Sequence, residues 1–264
     1  MVILITGISS GFGKAMAQRL SAEGHRVYGT YRKVQERLPG VTYLQADVRS
    51  EEDAKNAVQA VLDAEGRIDA FISNAGMGIG GPLEFCSLAS AQEQMDTNWM
   101  GMVRFLHFVL PVMRAQRSGK ILCFSSIGGL MGLPFQGLYS ASKFAIEGYC
   151  EALRLEVRSF GIDVILIEPG DFATSFTASR KSVAQDEAFT VYMSYRDSLA
   201  SIEKDETGGL KPEYLAEKIA RILRKKRPAY SYIISTFEQR LSVTLKKILP
   251  QRWFAAILSS YYKL

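Results

Sequence analysis

Among 264 residues only three are cysteine and two are histidine. Cys86, Cys123 and Cys150 are irregularly spaced and form no CxxC pair. They exclude a disulfide framework or zinc ribbon and read as reduced thiols of a cytosolic protein. His25 and His107 stand alone, so no metal site is expected. No run of eighteen apolar residues occurs, which leaves no helix expected to cross a bilayer. A secretory leader is not expected either, because a strand pattern already begins at residue 2. Internal repeats and low-complexity linkers are lacking. A hydrophobic fraction of 47%, with 32 basic against 27 acidic residues, excludes a disordered or fibrous chain. The length suits one generous α/β domain.

What is present is an alternation. Strand patterns fall near residues 2–6, 26–31, 41–46, 69–73, 120–125, 162–168 and 230–234. Helical patterns fall near 12–23, 51–65, 88–116, 140–159 and 212–226. Alternation predicts a doubly wound, Rossmann-type parallel sheet of about seven strands with helices on both faces. In such sheets the ligand lies outside the C-terminal ends of the strands. Gly7–Gly13, Asn74–Gly76, Ser126 and Pro169–Thr174 all fall on those ends.

Two patterns carry chemistry. Val2-Ile-Leu-Ile5, the turn Thr6-Gly-Ile-Ser-Ser-Gly-Phe-Gly13 and a helical stretch make strand, glycine turn and helix. That arrangement sets a pyrophosphate on a helix N-terminus. Gly7 permits the turn, Gly11 lets backbone approach phosphate, and Gly13 lets helix pack on strand; Ser9, Ser10 and Phe12 fill the rest of the loop. The second pattern is Tyr139-Ser-Ala-Ser-Lys143, which puts a phenol and an ammonium one turn apart on a helix face. A neighbouring ammonium is expected to lower the phenol's pKa, so that the pair passes protons to or from a substrate oxygen.

Charge is segregated. Lys211–Leu264 holds twelve basic and three acidic residues, a net of +9, while residues 1–210 carry −4. A basic tail suits a membrane, nucleic acid or an acidic ligand; nucleic acid is disfavoured because no reading motif accompanies it. Leu241, Leu245, Ile248 and Leu249, and after Pro250 Trp253, Phe254, Ile257, Leu258, Tyr261 and Tyr262, give amphipathic helices with basic polar sides. Two readings of 237–264 stay open. Either these helices lie on a membrane surface, or they dock on the body near the lid or on a second subunit of a homodimer or homotetramer. In the docking reading Trp253 and Phe254 are both expected to be buried.

Thr6-Gly-x-x-x-Gly-x-Gly13 with Tyr139-x-x-x-Lys143 resembles the short-chain dehydrogenase/reductase family. Asp47-Val48, Ser73-Asn-Ala-Gly76, Asn98, Ser125-Ser126 and Pro169-Gly170 with Thr174 follow in the family's order, with Ser73 where the family usually has Asn. The resemblance covers about residues 1–235, leaving 236–264 as an extension. It implies that Tyr139 is the general acid/base, that Lys143 lowers its pKa and holds the nicotinamide ribose, and that Ser126 holds the substrate oxygen. It also implies that Asn98 supports a water relay to Lys143. Asp47 and Val48 would hold the adenine, although Asp47 could instead cap the helix that starts near Ser50. Asn74, Ala75 and Gly76 would line the cofactor's middle, and Pro169, Gly170, Phe172 and Thr174 its carboxamide. At the end of the second strand Tyr31 replaces the acid of NAD-dependent relatives, Arg32 follows, and no acid comes before Glu36. NADP(H) is therefore favoured over NAD(H). Residues 175–210 would form a lid; its aromatics, with Met77, Leu130, Met131, Leu133 and Phe135, suggest a hydrophobic small-molecule substrate. The implied activity is hydride transfer between nicotinamide and a hydrophobic ketone or alcohol: a steroid, a retinoid or a long-chain lipid such as 3-ketosphinganine. The alternatives are a 3-oxoacyl carrier-protein reductase and a cofactor-sensing or membrane scaffold protein. The expected location is the cytoplasm, with membrane contact through the tail.

Overall fold

The computed structural model describes residues 1–33, 37–182 and 186–264; Glu36 lies outside them. Val2–Ile5 forms β1, with each residue at most 5% exposed. A short β-branched run is buried on both faces because helices cover both sides of a parallel sheet. Around it stand β2 (Arg26–Tyr31), β3 (Val41–Gln45), β4 (Ala70–Ser73), β6 (Gly119–Phe124), β7 (Ile162–Pro169) and β9 (Ser231–Ile234). Their order is β3-β2-β1-β4-β6-β7-β9, all parallel. The order reverses between β1 and β4, and at such a switch point a crevice opens above the strand ends. The two-residue strands β5 (Ile79–Gly80) and β8 (Lys181–Ser182) pair beside it.

One apolar layer packs α1 (Gly11–Ala22) and α9 (Pro212–Leu223) on the sheet through Met16, Leu20, Leu215 and Ile219. The opposite layer uses α2 (Glu51–Glu65), α4 (Gly101–Gln116) and α5 (Gly137–Val157), through Val58, Phe105, Val109, Ile146 and Leu153. Ser50 caps α2 by accepting the Asp53 N–H, and Gly66 ends it in the left-handed region at φ 69°. The single helix expected over 88–116 is broken. It becomes α3 (Leu88–Met95), a five-residue π turn at Asp96–Met100, and α4.

Above the strand ends lie α6 (Phe176–Ser179), α7 (Asp186–Val191) and α8 (Tyr195–Thr207). The chain ends in α10 (Phe237–Ile248) and α11 (Gln251–Tyr261). Both helices dock on the body: Val243 and Phe254 join Ile127 and Met131 in a small core, with Leu130, Leu133, Leu245, Leu249 and Leu258 against it. Phe254 is 3% exposed but Trp253 is 58% exposed, so the pair expected to be buried together is divided between the two faces of α11. Leu130 and Met131, read from sequence as favouring an apolar ligand, are covered by the chain's own tail.

Candidate active site

The site is built outward from the turn after β1. Gly7 and Gly11 adopt φ +74° and +52°, a region that costs other residues strain. A Cβ on Gly13 would lie 2.0 Å from the Gly7 carbonyl oxygen, so only glycine lets α1 start so close beneath the turn. Thr30 Oγ1 accepts the Gly7 N–H at 3.1 Å. Thr6 Oγ1 accepts the N–H groups of Asn74 and Ala75 at 3.0 and 3.1 Å, while Asn74 Nδ2 donates to the Thr6 and Gly7 carbonyls at 2.9 Å. Thr6, Thr30 and Asn74 thus hold the ends of β1, β2 and β4 together; Thr6 was read from sequence only as the first residue of the glycine motif, and Thr30 was missed, marked by nothing but its position at a strand end. Ser10 is the N-cap residue of α1 but its side chain makes no cap hydrogen bond. The helix N-terminus therefore faces the cleft with its dipole and N–H groups available to an anion.

That cleft has a volume of about 420 Å³ and lies over the C-terminal ends of the strands. It is lined by Gly7, Ser9, Ser10, Gly11, Phe12, Arg32, Asp47, Val48, Asn74, Ala75, Gly76, Ser126, Tyr139, Lys143, Pro169, Gly170, Phe172 and Thr174, every sequence-proposed site residue except Gly13 and Asn98. A second hollow, of about 590 Å³ and more open, lies at the opposite ends of the strands near Met1, Arg26 and Asp163. It faces away from the glycine turn and from Tyr139.

Asp47 does not cap α2; Ser50 does. The Asp47 carboxylate instead accepts from Arg49 Nη2 at 2.6 Å and Nε at 3.0 Å, and this pairing holds it below the usual carboxylate range. Arg32 acts on it in the same direction.

Asn98 is 2% exposed and sits in the π turn. Its Oδ1 accepts the Met77 N–H at 2.8 Å, and its Nδ2 donates to the Met77 carbonyl and to Ser142 Oγ, both at 3.0 Å. Ser142 Oγ donates in turn to the Tyr139 carbonyl at 2.7 Å. Gln94, four residues earlier, accepts from Ile79 N at 2.7 Å and donates to Met77 O at 2.8 Å. Both side chains clamp the loop after β4, and Asn98 also ties it to the helix carrying Tyr139. The carboxamide of Asn98 is thereby engaged in structural bonds.

Tyr139 and Lys143 share one face of α5, with Nζ 5.6 Å from the ring centroid. The expected lowering of the phenol's pKa is not found. Burial pushes it up to about 12, against a hydrogen bond with Ser126 that pulls down; Glu206 and Asp171 push it further up. Burial outweighs both that hydrogen bond and the Arg180 cation, because the phenolate is poorly solvated there. Lys143 is pushed down to about 8 by the same burial, and its Nζ donates to the Phe124 carbonyl at 2.7 Å. Ser126 Oγ accepts the Gly128 N–H at 3.0 Å and donates to the Pro169 carbonyl at 3.4 Å. Ser125 is buried, and its hydroxyl lies over Gly129, where a Cβ would come within 2.4 Å; its place is in the packing.

A parallel sheet in β3-β2-β1-β4-β6-β7-β9 order, with a glycine turn and a Ser/Tyr/Lys group at its C-terminal edge, defines an oxidoreductase of the dinucleotide-binding class. The chain belongs to the short-chain dehydrogenase family, whose model ("short chain dehydrogenase") matches residues 1–185. It is similar to a 3-ketodihydrosphingosine reductase of Bacteroides thetaiotaomicron, 46% identical over 264 residues, covering 99% of this chain and 97% of the relative. The human 17-beta-hydroxysteroid dehydrogenase type 1 is 36% identical over 252 residues, covering 88% of this chain and 76% of that protein. Among solved structures, a short-chain dehydrogenase from Streptomyces avermitilis superposes with a TM-score of 0.80 at 25% identity, covering 99% and 96% of the two chains.

Proposed function

We propose that this protein is an NADPH-dependent reductase of a long-chain amino ketone of the 3-ketodihydrosphingosine kind. The observation that carries the reading is the end-to-end similarity to a reductase of that name, 46% identical and including the tail. Steroid and retinoid ketones are the next choices, supported by weaker similarity.

The residues present fit a dinucleotide. The uncapped start of α1 with Gly7 and Gly11 suits a pyrophosphate. Asp47, Val48, Asn74, Ala75 and Gly76 line the next part of the cleft, and Pro169, Gly170, Phe172 and Thr174 its far end. Phe12 packs edge-on against Phe172 at 4.9 Å and sets that end. When bound, a reduced nicotinamide supplies the hydride that adds to the carbonyl carbon. Tyr139, held protonated near neutral pH, gives its proton to the carbonyl oxygen, and Ser126 holds that oxygen by a second hydrogen bond. Lys143 carries the charge that stabilises the phenolate left behind and returns a proton to it. Asn98, bonded to Met77 and Ser142, keeps α5 and the β4 loop in register.

Arg32 at the end of β2 lines the cleft beside Asp47 and would meet a 2′-phosphate with parallel N–H donors. The test of the whole reading is NADPH oxidation against a ketone panel: 3-ketodihydrosphingosine, steroid ketones, retinal and a 3-oxoacyl thioester. Fastest turnover of the first supports it, and fastest turnover of the thioester moves the protein to carrier-protein chemistry. In the same assay Arg32→Asp should cut the NADPH over NADH preference in kcat/KM by at least ~10-fold, because a carboxylate then faces the phosphate. An unmoved preference would shift the phosphate contact to Ser10 or Lys33.

A membrane role for the tail rests on its outward face. Phe237, Leu241 and Ile248 on α10 and Trp253 and Ile257 on α11 are 45–76% exposed. Arg240, Lys247 and Arg252 lie on the same two helices. An exposed aromatic and aliphatic stripe beside basic residues suits an anionic lipid surface, where a lipid-soluble ketone would be found.

A further inference from the structure

One wall at the substrate end of the cleft is unusually acidic. Asp171, Asp205 and Glu206 line it together with Thr177, Ile202 and Tyr262. Their partners are mostly neutral: Gln239 Nε2 donates to Asp171 Oδ2 at 2.5 Å and Tyr261 Oη to Asp205 Oδ2 at 2.6 Å. Thr177 Oγ1 donates to Glu206 Oε2 at 2.7 Å, and Arg180 Nη2 donates to the same oxygen. Three carboxylates thus face one guanidinium. Glu206 is 8% exposed, and the Arg180 side chain 6%. Carboxylates drawn out of water beside neutral donors, with each other for neighbours, lack the cation that would offset the cost. Two of them show it: burial, then Glu206 and Asp205, push Asp171 up to about 7, and burial raises Glu206 as well.

A second observation is independent of the acids. Arg180 enters the group through Glu206, yet its Nε and Nη1 are buried without a hydrogen-bond partner among the described residues. The group therefore has acceptors short of a cation and donors short of an acceptor. Its position is set by the chemistry. Asp171 lies two residues after Pro169, whose carbonyl accepts from Ser126 Oγ, and both Asp171 and Ser126 line the same cleft. Glu206, Asp171 and Arg180 all act electrostatically on the Tyr139 phenol.

We propose that this wall is a headgroup site for a cationic amino ketone, with Asp171 and Asp205 taking the ammonium on the carbon next to the carbonyl. The inference rests on the long-chain amino-ketone reading above and adds the residues that select the amine. Steroid and retinoid ketones have no such cation, so this wall would work against them.

The experiment compares kcat/KM for 3-ketodihydrosphingosine with that for the same ketone lacking the amine. The full-length enzyme should prefer the amino ketone by at least ~10-fold, the value of one partly exposed ion pair or a little more. In Asp171→Asn and Asp205→Asn, assayed separately, that preference should fall toward one, chiefly through KM for the amino ketone. Thermal melting and NADPH titration of each variant report whether the fold and cofactor site are intact, and the second variant serves if the first does not fold. No amine preference in the full-length enzyme, or a preference that survives both substitutions, overturns the headgroup site while leaving the reductase reading standing. Failure to reduce either long-chain ketone overturns the reading itself, and this site with it.

Discussion

At the scale of single residues, burial decides the character of the Tyr139/Lys143 pair. Tyr139 is held as a phenol and Lys143 is held close to its titration point. Tyr139→Phe keeps the ring against Phe176, 5.5 Å away, and removes the proton. Carbonyl reduction should fall at least ~10²-fold while NADPH still binds, which stopped-flow and fluorescence titration would read separately; near-normal turnover would remove Tyr139 from the mechanism. The pH profile has a definite sign. Lys143 is depressed from 10.5 to about 8, so its ammonium is present below pH 8 and lost above it. Tyr139 stays protonated throughout that window. The kcat/KM for reduction should therefore hold near neutrality and decline above about pH 8. A decline only near 10.5 would show that Lys143 keeps an ordinary pKa in the working enzyme.

At the scale of elements, the site depends on close approaches that no side chain tolerates. The start of α1 lies so near the β1 turn that a methyl on Gly13 meets the Gly7 carbonyl and Asn74 Nδ2, at 2.0 and 2.7 Å. Alanine normally favours a helix by up to ~1 kcal/mol over glycine. Here overpacking should reverse that, so Gly13→Ala is expected to lose about 1–3 kcal/mol in urea unfolding and to weaken NADPH binding. A stabilised variant with normal binding would mean that α1 has room to shift. The π turn carrying Asn98 is the corresponding device on the other side of the cleft. Gln94, just before its start, and Asn98, within it, both reach the Met77–Ile79 backbone.

At the scale of the whole molecule, the tail is part of the site's support. Gln239 at the start of α10 bonds Asp171, and a Cβ on Gly170 would meet Gln239 Oε1 at 2.0 Å. Val243 and Phe254 cover Ile127 and Met131 beside Ser126, the serine proposed to hold the substrate oxygen. A chain ending at Ser235 exposes these side chains, each worth about 1.5–3 kcal/mol of burial. It is expected to melt at lower temperature and to lose activity even on substrate dispersed without lipid. The membrane role needs gentler variants. Trp253→Glu and Ile257→Glu change only exposed positions, so melting should stay within a few degrees while co-sedimentation with anionic vesicles drops. Binding to vesicles should also weaken with salt, since exposed charges are screened over about 8 Å at physiological ionic strength. Equal sedimentation of parent and variants would leave the outward stripe to another copy of the chain.

The alternation of β-branched runs and amphipathic stretches determined the sheet and helix order by itself, because a parallel sheet buried on both faces leaves little freedom in where each pattern goes. Local chemistry also made the glycine turn and the Tyr139/Lys143 pair readable, since phosphate approach and a shared helix face are set within eight residues. Only the tertiary structure decided what depends on groups far apart in the chain. The depth of burial that pushes Tyr139 up instead of down comes from the surrounding chain, including Glu206 and Asp171. The capture of Asn98 comes from Met77 and Ser142. Asp171, Arg180 and Glu206 carry no pattern in the sequence and acquire meaning only where β7, the lid helices and the tail converge. The two faces of α11, one holding Phe254 in the body and one leaving Trp253 outside, were likewise indistinguishable until packing assigned them.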